Sequence, residues 1–300
     1  MYMKQVKQLF KDNKLEEDFK QNGFLKIPLL DERQVNELVA LFDKTRVEHK
    51  TLDSLHHTTT DTKKPELILK VDTLIKKIFV PELEKVLINF KPLAACFHIK
   101  ESGVGSATGM HQDPTFVDES EYYSANVWVA LNDMNEQNGN LYFIPGSNRI
   151  ECLRITPDSP NYYQPFYDAL PDMVIPVPMK KGEAVIFNNA TIHGASDNRS
   201  KQLRLAATLL ICSQPADWLI YYKEKNSVND KIEKYKIDLN AFISLAENEG
   251  RPNRDAMREL VSYDFPEITK EDFLKITGTG KTKATYFQRM KNVFKSRSLV

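Results

Sequence analysis

Between residues 92 and 222 the chain is a succession of short segments rich in β-branched and aromatic residues, at 93–99, 124–131, 140–144, 173–178, 184–188, 203–212 and 218–222. No helix-period pattern separates them. A parallel pair needs a crossover of a dozen or more residues, usually helical, so a parallel α/β sheet is disfavoured. Many antiparallel strands in one block predict a barrel or jelly roll. Asn138-Gly139 and Lys181-Gly182 supply tight-turn signals between strands.

Both flanks of this block read as helical. Leu9, Phe10, Leu15 and Phe19 predict an opening amphipathic helix, stopped by Gly23, with a short strand at 24–29. Asp31 and Gln34 form a capping-box pair ahead of a helix whose stripe is Val35, Leu38, Val39, Leu41 and Phe42. The polar stretch 55–64, with His56-His57, reads as a solvated loop. Pro65 then opens a helix with Leu67, Ile68, Val71, Leu74, Ile75, Ile78 and Phe79 facing inward. After residue 222, Ile232, Tyr235, Leu239, Phe242, Ile243 and Leu245 suggest a helix, followed by helical pieces near 256–261 and 270–276. The expected organisation is one domain over 1–300. It has a helical N-terminal flank (1–90), a jelly-roll core (91–222) and a helical C-terminal extension (223–300).

Lys+Arg and Asp+Glu both number 41, so no whole-protein field favours nucleic acid or an anionic membrane. No apolar run approaches membrane length and the first twenty residues lack a signal-peptide pattern, so a cytoplasmic location is expected. Cys96, Cys152 and Cys212 are far apart in sequence and read as buried thiols. Gly278-Thr279-Gly280-Lys281-Thr282 is not a phosphate-binding loop, because Lys275 stands where the pattern demands glycine. The stretch 281–300 carries six basic residues and no acidic one. It reads as a solvated helix or frayed tail; a docking patch for a carrier-protein-bound or phosphorylated substrate is the alternative.

The chemistry-bearing residues lie inside the β block. In Gly109-Met110-His111-Gln112-Asp113-Pro114, extended backbone points His111 and Asp113 to one side, so both can reach one metal. Eighty residues beyond Asp113, the apolar strand 184–187 leads into Thr191-Ile192-His193-Gly194, a second imidazole. Two histidines and one carboxylate on one face of an octahedron are the ligand set of non-haem Fe(II) oxygenases, with open positions for a chelating cosubstrate and dioxygen. Arg204, eleven residues after His193, opens the apolar run Leu205 to Leu210. A buried arginine needs an anionic partner, and its fork suits a carboxylate.

In combination these residues resemble the phytanoyl-CoA dioxygenase family of Fe(II)/2-oxoglutarate-dependent oxygenases. The resemblance covers roughly 23–213. It rests on Asn22-Gly23-Phe24-Leu25, His111-x-Asp113, Trp128-Val-Ala-Leu131-Asn-Asp133, Asn138-Gly139-Asn-Leu141, Ile144-Pro145-Gly146-Ser147, His193-Gly194 and Arg204. It implies a mainly β, double-stranded β-helix (jelly-roll) core. It also implies a dioxygenase using Fe(II), 2-oxoglutarate and O2 to oxidise a C–H bond of a small-molecule substrate, releasing succinate and CO2. By the resemblance, His111, Asp113 and His193 match the iron ligands and Arg204 holds the distal carboxylate of 2-oxoglutarate. Trp128 matches an aromatic of the cosubstrate pocket, although plain core packing is an equal reading. Asn126 lies on the same strand face. Thr108 and Ser147 are placed as further hydrogen-bond partners of the cosubstrate.

The chain departs from the pattern at Ala195, where some members carry a serine, with Ser196 as a substitute, and at Asn148, where histidine is usual. Relatives with a small residue in place of the carboxylate ligand act as halogenases. Asp113 is present, so hydroxylation or a related oxidation is implied. His98 reads as a core or pocket-wall residue, while Lys100 faces either the cosubstrate or solvent. The rival readings are a cupin-like metal enzyme without 2-oxoglutarate and a non-catalytic jelly-roll binding protein.

Overall fold

The computed structural model describes residues 7–49, 54–157, 159–225, 231–248, 250–253 and 258–278; the basic stretch 281–300 lies outside them. Three helices and a strand open the chain: α1 (Asn13–Asn22), β1 (Phe24–Pro28), α2 (Glu32–His49) and α3 (Pro65–Val86). Asp12 caps α1 by accepting from the Lys14 and Leu15 amides. The Asp31/Gln34 capping box forms in both directions, Gln34 N to Asp31 Oδ1 at 2.8 Å and Asp31 N to Gln34 Oε1 at 2.9 Å.

The remaining strands are β2 (His56–Thr58), β3 (Phe90–Lys100), β4 (Thr108–His111), β5 (Ser124–Ala130), β6 (Leu141–Phe143), β7 (Ile175–Val177), β8 (Glu183–Asn188), β9 (His193–Ala195), β10 (Arg204–Ser213), β11 (Leu219–Tyr222), β12 (Ile232–Lys236) and β13 (Arg258–Val261). They form a six-stranded sheet ordered β1-β8-β5-β10-β3-β2, a four-stranded sheet β4-β9-β6-β7 and a three-stranded sheet β11-β12-β13. Every strand pair within the sheets is antiparallel. This is the jelly roll, mainly β, with helices on both flanks.

The six-stranded sheet is buried on both faces, which explains why its strands read as nearly continuous apolar runs. Alternate residues divide cleanly. Val127, Val129, Leu205, Ala207, Leu209, Ile186, Phe97 and Ile99 face outward into a core completed by the apolar stripes of α1, α2 and α3. The other set faces the four-stranded sheet: Phe24, Trp128, Ala130, Val185, Phe187 and Ala206 pack against Leu141, Phe143, Val177 and Ala195. A one-residue slip of any strand would exchange the two sets, so the register is strongly specified. Arg204 and Lys100 belong by parity to the inner set and are paired across β10 and β3.

Three sequence expectations need correction. The stretch 55–64 is not a bare loop: β2 adds to the edge of β3, and a 3-10 turn, Thr60–Thr62, follows. A strand of His-His-Thr has no apolar alternation to betray it. Residues 232–236 form a strand rather than the start of a helix; the helix α4 (Leu239–Glu247) begins later. The three-residue spacing of Ile232 and Tyr235 imitates a helix face. In the strand it sends them to opposite faces, Ile232 to Ile155, Leu219 and Tyr221, and Tyr235 to Trp218, Ile220 and Tyr222. Residues 258–261 are likewise strand β13, so the segment after residue 222 is not wholly helical. The helix expected at 270–276 is present as α5 (Lys270–Thr277), capped by Thr269. Among the described residues no helix is long and apolar enough to cross a membrane.

Candidate active site

The two histidines of the predicted cluster sit opposite one another on neighbouring strands. His111 ends β4 and pairs in register with His193, which begins β9. Their rings are 4.3 Å apart between centroids. Close approach of the two strands depends on Gly194, where a Cβ would lie 2.5 Å from Tyr142 Oη and 2.8 Å from Thr108 O. Gly194→Ala is therefore expected to destabilise the fold by about 1–3 kcal/mol. The check is a lowered urea midpoint at unchanged m-value.

Each imidazole is oriented by its own backbone. His111 Nδ1 donates to Gly109 O at 2.9 Å and His193 Nδ1 to Thr191 O at 2.9 Å. A carbonyl only accepts, so both Nδ1 atoms carry a proton, and Nε2 is the nitrogen that each ring turns toward the cluster. Those Nε2 atoms lie 3.7 Å (His111) and 3.8 Å (His193) from Asp113 Oδ1, too long for hydrogen bonds. The donor atoms of all three residues fall within 4.8 Å of one another. Two imidazole nitrogens and a carboxylate oxygen, convergent and not hydrogen-bonded to one another, fit a divalent transition metal. Phe143 and Phe187 pack against the His193 ring, at centroid distances of 5.8 and 4.6 Å, and shield that side from water. The His111 side chain is 42% exposed, so the cluster opens on its side.

Asp113 lies beyond the end of β4 and is fixed by other means. Its amide donates to Asn189 O at 2.9 Å. Asn126 Nδ2, on the inner face of β5, donates to Asp113 Oδ2 at 2.7 Å and to Asn189 Oδ1 at 3.1 Å. Asn189 Nδ2 in turn donates to Ser124 Oγ at 3.1 Å. Asn126 thus occupies one carboxylate oxygen and leaves Oδ1 facing the histidines, a different task from the cosubstrate contact expected of it. Burial opposes the ionised form of Asp113, but the His193 and His111 imidazoles and the Asn126 amide outweigh it and hold the pKa down to about 2. Burial pulls His193 down to about 4, and it is neutral at physiological pH.

Farther along the inner face lies a pocket of buried nitrogen groups. Arg204 is 1% exposed, its guanidinium carbon 5.1 Å from the centroid of the Trp128 ring. Arg204 Nη1 donates to Gly139 O at 2.7 Å, while its Nε is buried without a partner. Gly139 has φ +79° and its Cβ position lies 2.4 Å from Ser196 O, so the turn there requires glycine. No carboxylate among the described residues pairs with Arg204. Burial draws its pKa down to about 9, which leaves it a cation at neutral pH. Lys100 is fully buried beside it; its Nζ donates to Ser196 O at 2.8 Å, and burial together with Arg204 lowers its pKa to about 7.

His56 and His98 complete this pocket, with rings 5.8 Å apart. Burial holds His56 near 2 and His98 near 3, so both stay neutral. His56 Nδ1 hydrogen-bonds Thr108 Oγ1 at 3.1 Å, and its Nε2 is buried and unpartnered. The solvated-loop reading of His56-His57 is thus corrected, and Lys100 faces inward rather than outward. Ser147 is also reassigned. Its hydroxyl donates to Ile144 O at 2.7 Å and accepts from Ile192 N at 2.8 Å. The single O–H is committed to backbone, so Ser147 staples the approach to His193 and has no donor for a carboxylate. Ser196 is exposed, and the backbone carbonyl is the part of it that meets Lys100.

A family model described as phytanoyl-CoA dioxygenase (PhyH) matches residues 19–206, which include all three cluster residues and Arg204. The chain belongs to the phytanoyl-CoA dioxygenase family. A family member from Danio rerio, phytanoyl-CoA dioxygenase domain-containing protein 1, is 30% identical over 164 residues, 50% of this chain and 54% of that protein. Phytanoyl-CoA dioxygenase 1 of Oryza sativa subsp. japonica is 30% identical over 132 residues, 42% of this chain and 46% of that one. The chain therefore spans about half the length of the curated relatives it matches. Among solved structures, the epimerase SnoN in complex with Fe3+, alpha ketoglutarate and nogalamycin RO aligns with a TM-score of 0.51 at 17% identity, covering 69% of this chain and 85% of SnoN. The alpha ketoglutarate dependent carbocyclase SnoK from nogalamycin biosynthesis aligns with a TM-score of 0.51 at 18% identity, over 82% of this chain and 94% of SnoK. At those identities the likeness speaks for the jelly-roll fold.

Sequence reasoning left the direction of Lys100 open, read His56 as part of a solvated loop, and assigned no role at the site to Asn189 or Arg154. Arg154, between Leu153 and Ile155, carried the same signal that exposed Arg204, a charged residue in an apolar run. The polar sequence around Asn189 carried none.

Proposed function

We propose that the protein is an Fe(II)- and 2-oxoglutarate-dependent dioxygenase that oxidises a C–H bond of a small-molecule metabolite. The observation that carries this reading is a convergent His-Asp-His cluster sharing the space between the two sheets with a buried guanidinium that no carboxylate among the described residues neutralises. An unpaired buried cation costs several kcal/mol, ~3–5 when the partner of a buried pair is removed. A dicarboxylate anchored there offsets that cost.

His111 Nε2, His193 Nε2 and Asp113 Oδ1 would hold the iron, and Asn126 keeps the second Asp113 oxygen occupied. Iron bound there supplies open positions for a chelating 2-oxo acid and for dioxygen. Arg204 takes the distal carboxylate of 2-oxoglutarate, its plane set by Trp128 and by the Gly139 carbonyl. Lys100 adds a second positive group at the same end, and His56 with Thr108 offers neutral hydrogen bonds. The inner apolar residues Phe143, Phe187 and Val185 keep bulk water out. One oxygen atom goes to the substrate carbon and the other to succinate, with loss of CO2. Arg204 counts against a cupin-like enzyme without a 2-oxo acid, and the complete donor set counts against a non-catalytic binding protein.

Adding 2-oxoglutarate to the Fe(II) protein without oxygen is expected to produce a visible charge-transfer band. Admitting air should then release succinate slowly, and faster when a panel of small metabolites includes the substrate. A protein that gives neither the band nor succinate above a metal-free control does not have this function.

A further inference from the structure

The two histidines of the cluster are held by a hydrogen-bonded strand pair, whereas Asp113 is not. It stands in irregular backbone after β4, and its carbonyl faces a second buried arginine that the proposed chemistry does not use. Arg154 is 3% exposed. Its Nε donates to Asp113 O at 2.7 Å. Its Nη1 donates to Cys152 O at 2.8 Å and to Glu119 Oε2 at 2.7 Å, and its Nη2 donates to Glu119 Oε1 at 2.5 Å. The backbones are tied as well: Arg154 N donates to Thr115 Oγ1 at 3.0 Å, and Thr115 N to Arg154 O at 3.1 Å. Residues 113–115 are therefore gripped by one residue at three points.

We propose that Arg154, itself oriented by Glu119, is a positioning residue for the carboxylate ligand. The inference rests on the metal reading above. A planar guanidinium with four of its N–H bonds engaged has little freedom. Anchored on both sides by Glu119 and the Cys152 carbonyl, it fixes the Asp113 peptide plane and hence the direction of the Cα–Cβ bond. Asn126 and the Asn189 carbonyl act on the side chain and amide; Arg154 acts on the carbonyl. Together they replace the strand ladder that orients the histidines. A ligand loose in its backbone binds metal less tightly even when its chemistry is unchanged.

The test is Co(II) titration of the purified full chain, followed by the visible d–d bands and by calorimetry, for wild type, Arg154→Met, Arg154→Lys and Glu119→Gln. The expected result is an affinity loss of about 10–100-fold for Arg154→Met with an altered band shape. A smaller loss is expected for Glu119→Gln, with partial recovery in Arg154→Lys. Metal-free thermal melts run alongside separate positioning from loss of fold. If Arg154→Met does not fold, Glu119→Gln and Arg154→Lys carry the comparison. Variants that bind Co(II) with wild-type affinity and spectrum overturn this inference and leave the metal site standing. A wild-type protein that does not bind Co(II) overturns both.

Discussion

Asp113→Ala is expected to lower 2-oxoglutarate turnover by about 10³-fold or more, equivalent to at least ~4 kcal/mol. The carboxylate is the one anionic donor in the cluster, and its neighbours hold it below the usual carboxylate range, so it is ionised at neutral pH. Without it, two neutral imidazoles 4.3 Å apart remain, a weaker and uncharged donor pair. Asn126 keeps its bond to Asn189 Oδ1, so the surrounding network survives and the fold should as well. The loss is then of chemistry rather than of structure, and iron retained after gel filtration should fall in parallel with succinate release. Wild-type-like succinate formation by this variant would remove Asp113 from the ligand set.

Arg204→Met is expected to raise the 2-oxoglutarate concentration for half-maximal turnover about 30–150-fold, the equivalent of ~2–3 kcal/mol for a charge-assisted bidentate contact. Turnover at saturating cosubstrate should change much less, because the guanidinium does not meet the reacting carbon. The same substitution has an opposite effect on the protein without cosubstrate. It removes a buried cation with an orphaned Nε and substitutes an apolar chain of similar length over Trp128. Exchanging buried charge for packed apolar volume is often neutral or stabilising by ~1–4 kcal/mol. A thermal shift without ligand should therefore be unchanged or raised. The further rise that wild type gains from 2-oxoglutarate, about 2.7 kcal/mol at a hundredfold excess over its Kd, should fall to about 0.3–0.9 kcal/mol at the same concentration. Arg204→Lys is expected to recover only part of the affinity, since a single ammonium lacks the planar fork. An unchanged 2-oxoglutarate requirement in Arg204→Met would show that the distal carboxylate binds elsewhere.

What the amino-acid sequence discloses of this fold and site follows a physical pattern. The strands of the central block announced themselves because both faces are buried, leaving apolar runs bounded by turns at Gly139 and Gly182. His111 and Asp113 were legible as a pair because extended backbone puts alternate residues on one side. His193 and Arg204 were legible from their place at the ends of apolar strands. The residues that the sequence leaves open or conceals owe their roles to partners distant in the chain. Lys100 meets Ser196, His56 meets Thr108, and Arg154 reaches back to Asp113 and Glu119. Ser147 looked like a ligand of the pocket because hydroxyls suit carboxylates, yet two backbone groups claim it first. The strand β12 is hidden by the spacing of Ile232 and Tyr235, which suits either a helix face or a strand with both sides covered.

The unequal support of the three proposed ligands bears on how such a site can diverge. Each histidine is also a rung of the β4–β9 pairing, so the sheet's own backbone sets where its side chain starts. Asp113 is a rung of neither strand; one backbone bond to Asn189 and the side chains of Asn126 and Arg154 hold it from outside the ladder. A lineage exploring new reactivity can re-aim the acidic ligand by changing the side chains around it, whereas the imidazoles take their aim from the sheet itself. The catalytic repertoire open to this fold is in that sense set by which ligand stands outside the strand ladder.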